Sequence, residues 1–218
     1  MENTVIFIAE MIGTVAFASS GAMLAIRKNL DIFGVLVLAL TVAVGGGVLR
    51  DVMLGLIPPV AFRDPSYALV AMATAIALFL LIYFRQDVMN SPTMAVYEMF
   101  MNYCDAIGLG IFTVVGVYTA YTEGYRHPFF LLFLGLLTGI GGGVLRDVLA
   151  NTLPFILHKH IYAVAALAGA LVCVQMIEWN LYLAMAAGAG VVIFIRLLAI
   201  HLRWSLPKPI RQLSQEKK

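Results

Sequence analysis

Arginine and aspartate stand side by side twice in this chain, each time inside apolar sequence. Arg50-Asp51 and Arg146-Asp147 both close the heptapeptide Gly-Gly-Gly-Val-Leu-Arg-Asp, at 45–51 and 141–147. A guanidinium can hold a carboxylate or another anion, and an aspartate can hold a cation. In hydrocarbon each such charge costs roughly 2.5–3.5 kcal/mol on insertion scales. Four of them either face a watery cavity or snorkel to the interfaces from tilted helices. Neighbouring residues project about 100° apart on a helix. The reading therefore pairs the charges across the two copies, Arg50 with Asp147 and Arg146 with Asp51.

The glycines raise a second question. From Ile32 to Phe62 the chain is uncharged apart from Arg50 and Asp51, and as one straight helix these 31 residues would run about 46 Å against a hydrocarbon core of about 30 Å. Gly45, Gly46 and Gly47 fall near the middle, as Gly141, Gly142 and Gly143 do in the run from Pro128 to Leu157. Each glycine costs about 1 kcal/mol relative to alanine in a helix, so a kink or break is expected there. Close helix crossing is the rival explanation. Gly135, Gly139 and Gly143 form a small-residue ridge, matched by Ala39, Ala43 and Gly47, and such ridges let helices approach closely. The two explanations are compatible.

Hydroxyls at Ser19, Ser20, Thr113, Thr119 and Thr138 could extend a polar path, although Ser and Thr often bond back to their own helix. Glu98 and Asp105 are read as lying near a membrane edge, at a mouth or simply at the interface. Cys104 and Cys173 lie in apolar segments without metal or redox spacing, and His158 and His160 read as an interfacial pair. No metal site and no cofactor are expected. The heptapeptide lacks the Lys-Ser/Thr of a phosphate loop, and no nucleophile elbow or His-carboxylate cluster is present. That argues against an enzyme.

The elements that position these residues are membrane helices. Of 218 residues 62% are hydrophobic and 12% charged, about half the charged fraction of a soluble domain. Apolar spans are read at about 4–26, 32–56, 66–84, 103–122, 128–151, 160–177 and 181–200. They form one all-α transmembrane domain over residues 1–202, with a basic tail at 203–218 that is expected to be poorly ordered and cytoplasmic rather than a nucleic-acid-binding segment. With the C-terminus inside and the N-terminus outside, Arg27, Lys28, Arg85 and Lys159 fall on the inner side, leaving Arg63 and Arg126 outside. "AFASS" at 16–20 resembles a signal-peptidase site, but no basic residue precedes it, so the first span is expected to be retained.

An internal echo supports that expectation. "IGTVAFASSGAMLAI" from Ile12 answers "IGLGIFTVVGVYTAY" from Ile107, an offset of 95; the heptapeptides are 96 apart, as are Pro58 and Pro154, and Tyr67 answers Tyr162 at 95. Two three-helix units, 4–84 and 103–177, are thus followed by a seventh helix at 181–200. An odd number of spans per unit makes the repeats inverted, an arrangement common in proteins that move solutes.

Paired GGGVLRD motifs in the second and fifth helices of a three-plus-three-plus-one layout resemble the prokaryotic branch of the trimeric intracellular cation (TRIC) channel family, over all but the tail. The resemblance implies a homotrimer in the cell's inner (plasma) membrane, with a pore for K⁺ and Na⁺ through each protomer. It implies glycine kinks beside the pore at Gly45, Gly46, Gly47, Gly141, Gly142 and Gly143, with Arg50, Asp51, Arg146 and Asp147 as neighbouring charges. Ser19 and Thr138 join them as candidate pore-lining residues. Animal members carry Lys-Glu-Val at the kink where this chain has Leu-Arg-Asp. Bacterial relatives are also described as glycine uptake proteins, so a carrier for a small zwitterion stands as the alternative to a passive cation pore.

Overall fold

Each long helix stops where the sequence supplies a stop. The computed structural model describes residues 2–84, 91–158, 161–202 and 204. Helix α1 (Glu2–Arg27) ends just before Asn29, which adopts a positive φ of 55°. Helix α2 (Ile32–Leu54) starts at Asp31, whose Oδ1 accepts the Gly34 N–H at 2.8 Å. That bond satisfies one of the orphan donors of a helix start. Gly55, at φ 73°, ends α2, with its N–H directed at the Asp51 and Val52 carbonyls. Only a residue without a side chain takes that left-handed conformation freely. The short α3 (Val60–Arg63) leads into α4 (Ser66–Tyr83).

The second half repeats the sequence of lengths: α5 (Ser91–Thr122), α6 (Pro128–Leu149), the short α7 (Phe155–His158) and α8 (Ile161–Met176). Pro128 opens α6 at a position where its missing N–H is not needed. The last helix, α9 (Leu181–His201), is capped by Asn180, whose side chain accepts the Leu183 N–H at 2.9 Å.

Packing follows the same division. Helices α1, α2 and α4 pack against one another, as do α5, α6 and α8; α1 meets α5 and α2 meets α6 between the bundles, while α9 lies on α5 and α8. Six of these helices are long and apolar enough to cross a membrane, and α8 is a shorter apolar helix of 16 residues. Large apolar side chains such as Phe33, Phe129 and Phe194 are 66–71% exposed, as suits a chain solvated by lipid tails. This is an all-helical polytopic membrane fold.

Two expectations need correction. The fourth span does not begin at 103: α5 is a 32-residue helix, about 48 Å long, so its first turns extend beyond a 30 Å core. Nor do the triple glycines break their segments. Both lie within continuous helices, and the overlong runs are shortened further on, by Gly55 and α3 in one unit and by Asn151, at φ 49°, and α7 in the other. Arg85, Lys159, His160, Arg203 and the basic tail lie outside the described residues, as does the His158 side chain.

Candidate functional site

The glycines serve the crossing of α2 and α6. A Cβ on Gly46 would collide with the Thr138 carbonyl oxygen, and one on Gly142 would collide with the Val42 carbonyl oxygen. These are reciprocal contacts at the 96-residue offset, so the two backbones meet with no room for a side chain on either. Gly45 and Gly141 face Leu145 and Leu49, which interleave across the same crossing. Thr138 is fully buried and donates back to Leu134 O at 2.6 Å, and Ser19 donates to Val15 O at 2.7 Å. Thr119 likewise donates to Val115 O at 2.9 Å. These three hydroxyls satisfy themselves within their own helices.

One helical turn beyond the crossing, each Arg-Asp pair closes on itself rather than on the other copy. Arg50 Nε donates to Asp51 Oδ1 at 2.8 Å, and Arg146 Nε donates to Asp147 Oδ1 at 2.8 Å. The expected cross-unit pairs do not form. The angle between adjacent residues concerns Cβ directions only. The long arginine side chain curls past its neighbour, while the short aspartate stays near the helix axis. The second carboxylate oxygen explains why aspartate is needed: Asp51 Oδ2 accepts the Val60 N–H and Asp147 Oδ2 accepts the Phe155 N–H, both at 2.8 Å. Each aspartate thereby receives the first N–H of the short helix that follows, a donor with no intrahelical partner.

Around each pair gathers a carboxylate from the first helix of its unit and a tyrosine from the third. In the first unit, Tyr67 donates to Glu10 Oε2 while Glu10 Oε1 lies 3.9 Å from Arg50 Nη1. In the second, Asp105 Oδ1 accepts from Arg146 Nη1 at 2.7 Å, and Tyr162 stands beside them. Asp105 is fully buried and lies nine residues inside the apolar span that starts at Val96, so its placement at a membrane edge is corrected. Arg146 also donates to Ser20 from α1, and its guanidinium lies 4.5 Å from the Phe155 ring centre. Arg196, from α9, places Nη2 at 3.8 Å from Asp105 Oδ2 and its guanidinium 4.8 Å from the Tyr162 ring centre.

Two cavities lead to these clusters. A space of about 20 Å³ lies among Glu10, Gly47, Arg50, Asp51, Tyr67 and Phe112, enough for about one water. A cavity of about 650 Å³ is lined by Arg27, Lys28, Glu98, Asn102, Asp147 and Thr152. Glu98 pairs with Arg27 at 2.8 Å on its rim, consistent with a mouth. The first lies beside Glu10 and the second beside Leu24 of the same helix, about 21 Å along its axis. Phe17, Val42 and Phe112 form a separate buried apolar cluster between them, with the two rings 5.2 Å apart. The arrangement is two polar approaches to one tight, apolar crossing.

Sequence reasoning brought out the heptapeptides but missed Glu10 and Arg196 as members of these clusters. A lone acid in the first span and a lone arginine in the last were the available signals, since such charges inside membrane spans are rarely idle. Glu10 and Asp105 also share the 95-residue offset of Tyr67 and Tyr162.

The comparisons with known proteins agree with this twofold pattern. A family model described as "Glycine transporter" matches residues 7–83 and again 102–178. A "UPF0126 membrane protein" of Deinococcus radiodurans is 36% identical over 94% of this chain and 92% of its own length. The "UPF0126 inner membrane protein YadS" of Escherichia coli K12 is 35% identical over 92% and 93%. Among solved structures, a prokaryotic TRIC channel in 0.5 M KCl superposes with a TM-score of 0.84 at 28% identity, over 94% of this chain and 100% of that one. The TRIC orthologue from Rhodobacter sphaeroides gives 0.81 at 31%, over 92% and 100%. With both units matched by one family and nearly the whole chain laid over solved relatives, the protein is a multi-pass inner-membrane member of the prokaryotic TRIC family.

Proposed function

We propose that the protein is a channel for monovalent cations such as K⁺ and Na⁺, with one pore through each protomer of a homotrimer. The likeness of nearly the whole chain to solved TRIC cation channels carries this reading. The two polar approaches to the α2–α6 crossing give it a route. In this reading the units are inverted repeats, with the N-terminus outside and the C-terminus in the cytoplasm. The larger cavity then faces the cytoplasm, where Arg27 and Lys28 satisfy the positive-inside rule. The tight glycine contacts and the Phe17–Val42–Phe112 cluster are a closed constriction, and apolar constrictions of this kind gate by excluding water. Gly47 and Gly143, on the charged side of the crossing, border the pore with Arg50, Asp51, Arg146 and Asp147. The other glycines, Ser19 and Thr138 shape the wall without offering a free polar group. Opening in this reading requires the packing around Phe17, Val42 and Phe112 to loosen.

The description of the matching family, "Glycine transporter", supports a second reading. There an arginine would hold the carboxylate of a small zwitterion and an acidic side chain its ammonium. Planar bilayers under a KCl gradient separate the two. Unitary currents reversing near the K⁺ potential, altered in Asp51→Asn/Asp147→Asn, are expected of a cation pore. Silent bilayers, from protein whose liposomes accumulate labelled glycine with saturation, would replace the channel by a carrier.

A further inference from the structure

The two charged clusters are built alike but do not carry the same charge. The outer one holds two carboxylates, Glu10 and Asp51, and one guanidinium, Arg50. The inner one holds Asp105 and Asp147 against two guanidinia, Arg146 and Arg196. The fourth charge comes from α9, the helix outside both three-helix bundles, and the outer cluster has no counterpart to it among the described residues. Arg196 is 3% exposed, five residues before the end of a helix that carries no other Lys, Arg, Asp or Glu, and a buried charge there without a purpose is costly. Its contact with Asp105 is long, 3.8 Å, and its Nε and Nη2 have no hydrogen-bond partner. That is poor geometry for a static buried salt bridge, which is stabilising only when its hydrogen bonds are well satisfied.

We infer that Arg196 sets the charge of the inner half of the permeation path, leaving the outer half with one surplus negative charge and making conduction rectify. The inference rests on the channel reading above. A surplus carboxylate beside the outer cavity concentrates cations at that mouth, as charged clefts concentrate counter-ions generally. The inner cluster, neutral overall, does not. Cations therefore enter more readily from the Glu10 side than from the Asp105 side. Arg196 acts through Asp105 as a positioning and charge-setting residue, without touching a permeant ion.

Unitary currents of the reconstituted full-length trimer in symmetrical KCl at pH 8 test this, read as the ratio of current magnitudes at opposite voltages. The wild type is expected to rectify by roughly twofold or more at low salt. Arg196→Gln should move the ratio toward one with larger currents. Glu10→Gln should also move it toward one, but with smaller currents, because both clusters are then neutral. Arg196→Lys should keep the wild-type ratio. A purely structural arginine would change the number of active channels and leave the unitary ratio alone. If Arg196→Gln does not fold, Glu10→Gln decides the matter at the other cluster. A conducting wild type with a ratio of one, or a ratio unmoved by both neutral variants, overturns the assignment while leaving the channel intact. A wild type that passes no current overturns the channel reading and the assignment with it.

Discussion

The two copies of GGGVLRD share every covalent atom and differ in what surrounds them. Around Arg50 the packing is loose: Glu10 stands 3.9 Å away, and a small cavity reaches Gly47 and Tyr67. Around Arg146 it is closed: Asp105 accepts at 2.7 Å, Ser20 joins, and the arginine is fully buried. The difference arises outside the repeated letters. A glutamate in the first unit stands where the second has the shorter aspartate, and α9 covers only the second bundle. Identical motifs therefore report which contacts belong to the backbone design and which to the environment.

The sharpest test lies at the part that does not differ. Gly46 and Gly142 meet carbonyl oxygens across the α2–α6 crossing in the same way. Valine at either position must push two backbones apart. The expected outcome is a loss of several kcal/mol, about 3 or more, with no folded protein recovered, since overpacking without slack exceeds the usual ~1–3 kcal/mol. Both variants should fail alike in size-exclusion profiles from mild detergent. If one is tolerated, the crossing is not symmetrical.

A smaller effect separates the copies. Asp147→Ala removes a buried partner of Arg146 and the acceptor for Phe155 N–H, and breaking a buried pair typically costs about 3–5 kcal/mol. Asp51→Ala removes the same two bonds. Both aspartates border a cavity, but Arg146 keeps Asp105 at 2.7 Å whereas Arg50 keeps only Glu10 at 3.9 Å, so the Asp147→Ala loss is expected at the low end of that range and the Asp51→Ala loss at the high end. Thermal unfolding of the reconstituted protein should place Asp51→Ala clearly below Asp147→Ala. Equal losses would mean that Asp105 does not compensate Arg146.

Much of this architecture is legible in the sequence because it depends on local pattern. Apolar length gives the spans, the 95- and 96-residue offsets give the two units, and paired charges in apolar runs mark the clusters. What the letters conceal is tertiary. Three glycines in a helix weaken it in isolation, yet here they persist in continuous helices because another backbone packs where their side chains would be. The Arg-Asp pairing was misread because helical angle locates Cβ, whereas a guanidinium reaches several bonds further. Arg196 joins the Arg146 cluster only because α9 docks on α5 and α8, which no spacing within the heptapeptides encodes. The site-defining partners Glu10 and Asp105 were visible as isolated acids in apolar spans, but not as partners.

The smallest expected difference is the most discriminating, because it alters one methyl group. A Cβ on Gly47 would meet nothing nearer than Arg50 Nη2 at 3.9 Å, whereas one on Gly143 would lie 2.8 Å from the Tyr162 hydroxyl. Alanine is favoured over glycine in a helix by about 1 kcal/mol. At Gly47 that gain should appear almost undiminished, so Gly47→Ala is expected to raise the unfolding temperature slightly. At Gly143 the same gain must move the Tyr162 ring, which lies against Phe155 and beneath the Arg196 guanidinium. That ring is buried on every side, and its displacement should cancel the gain or reverse it by about 1 kcal/mol. The pair of variants thus measures the slack in each cluster with the helix propensity held constant. A Gly143→Ala protein as stable as Gly47→Ala would show that the Arg146 cluster has room after all, and the contrast between a loose Arg50 cluster and a close-packed Arg146 cluster would fail.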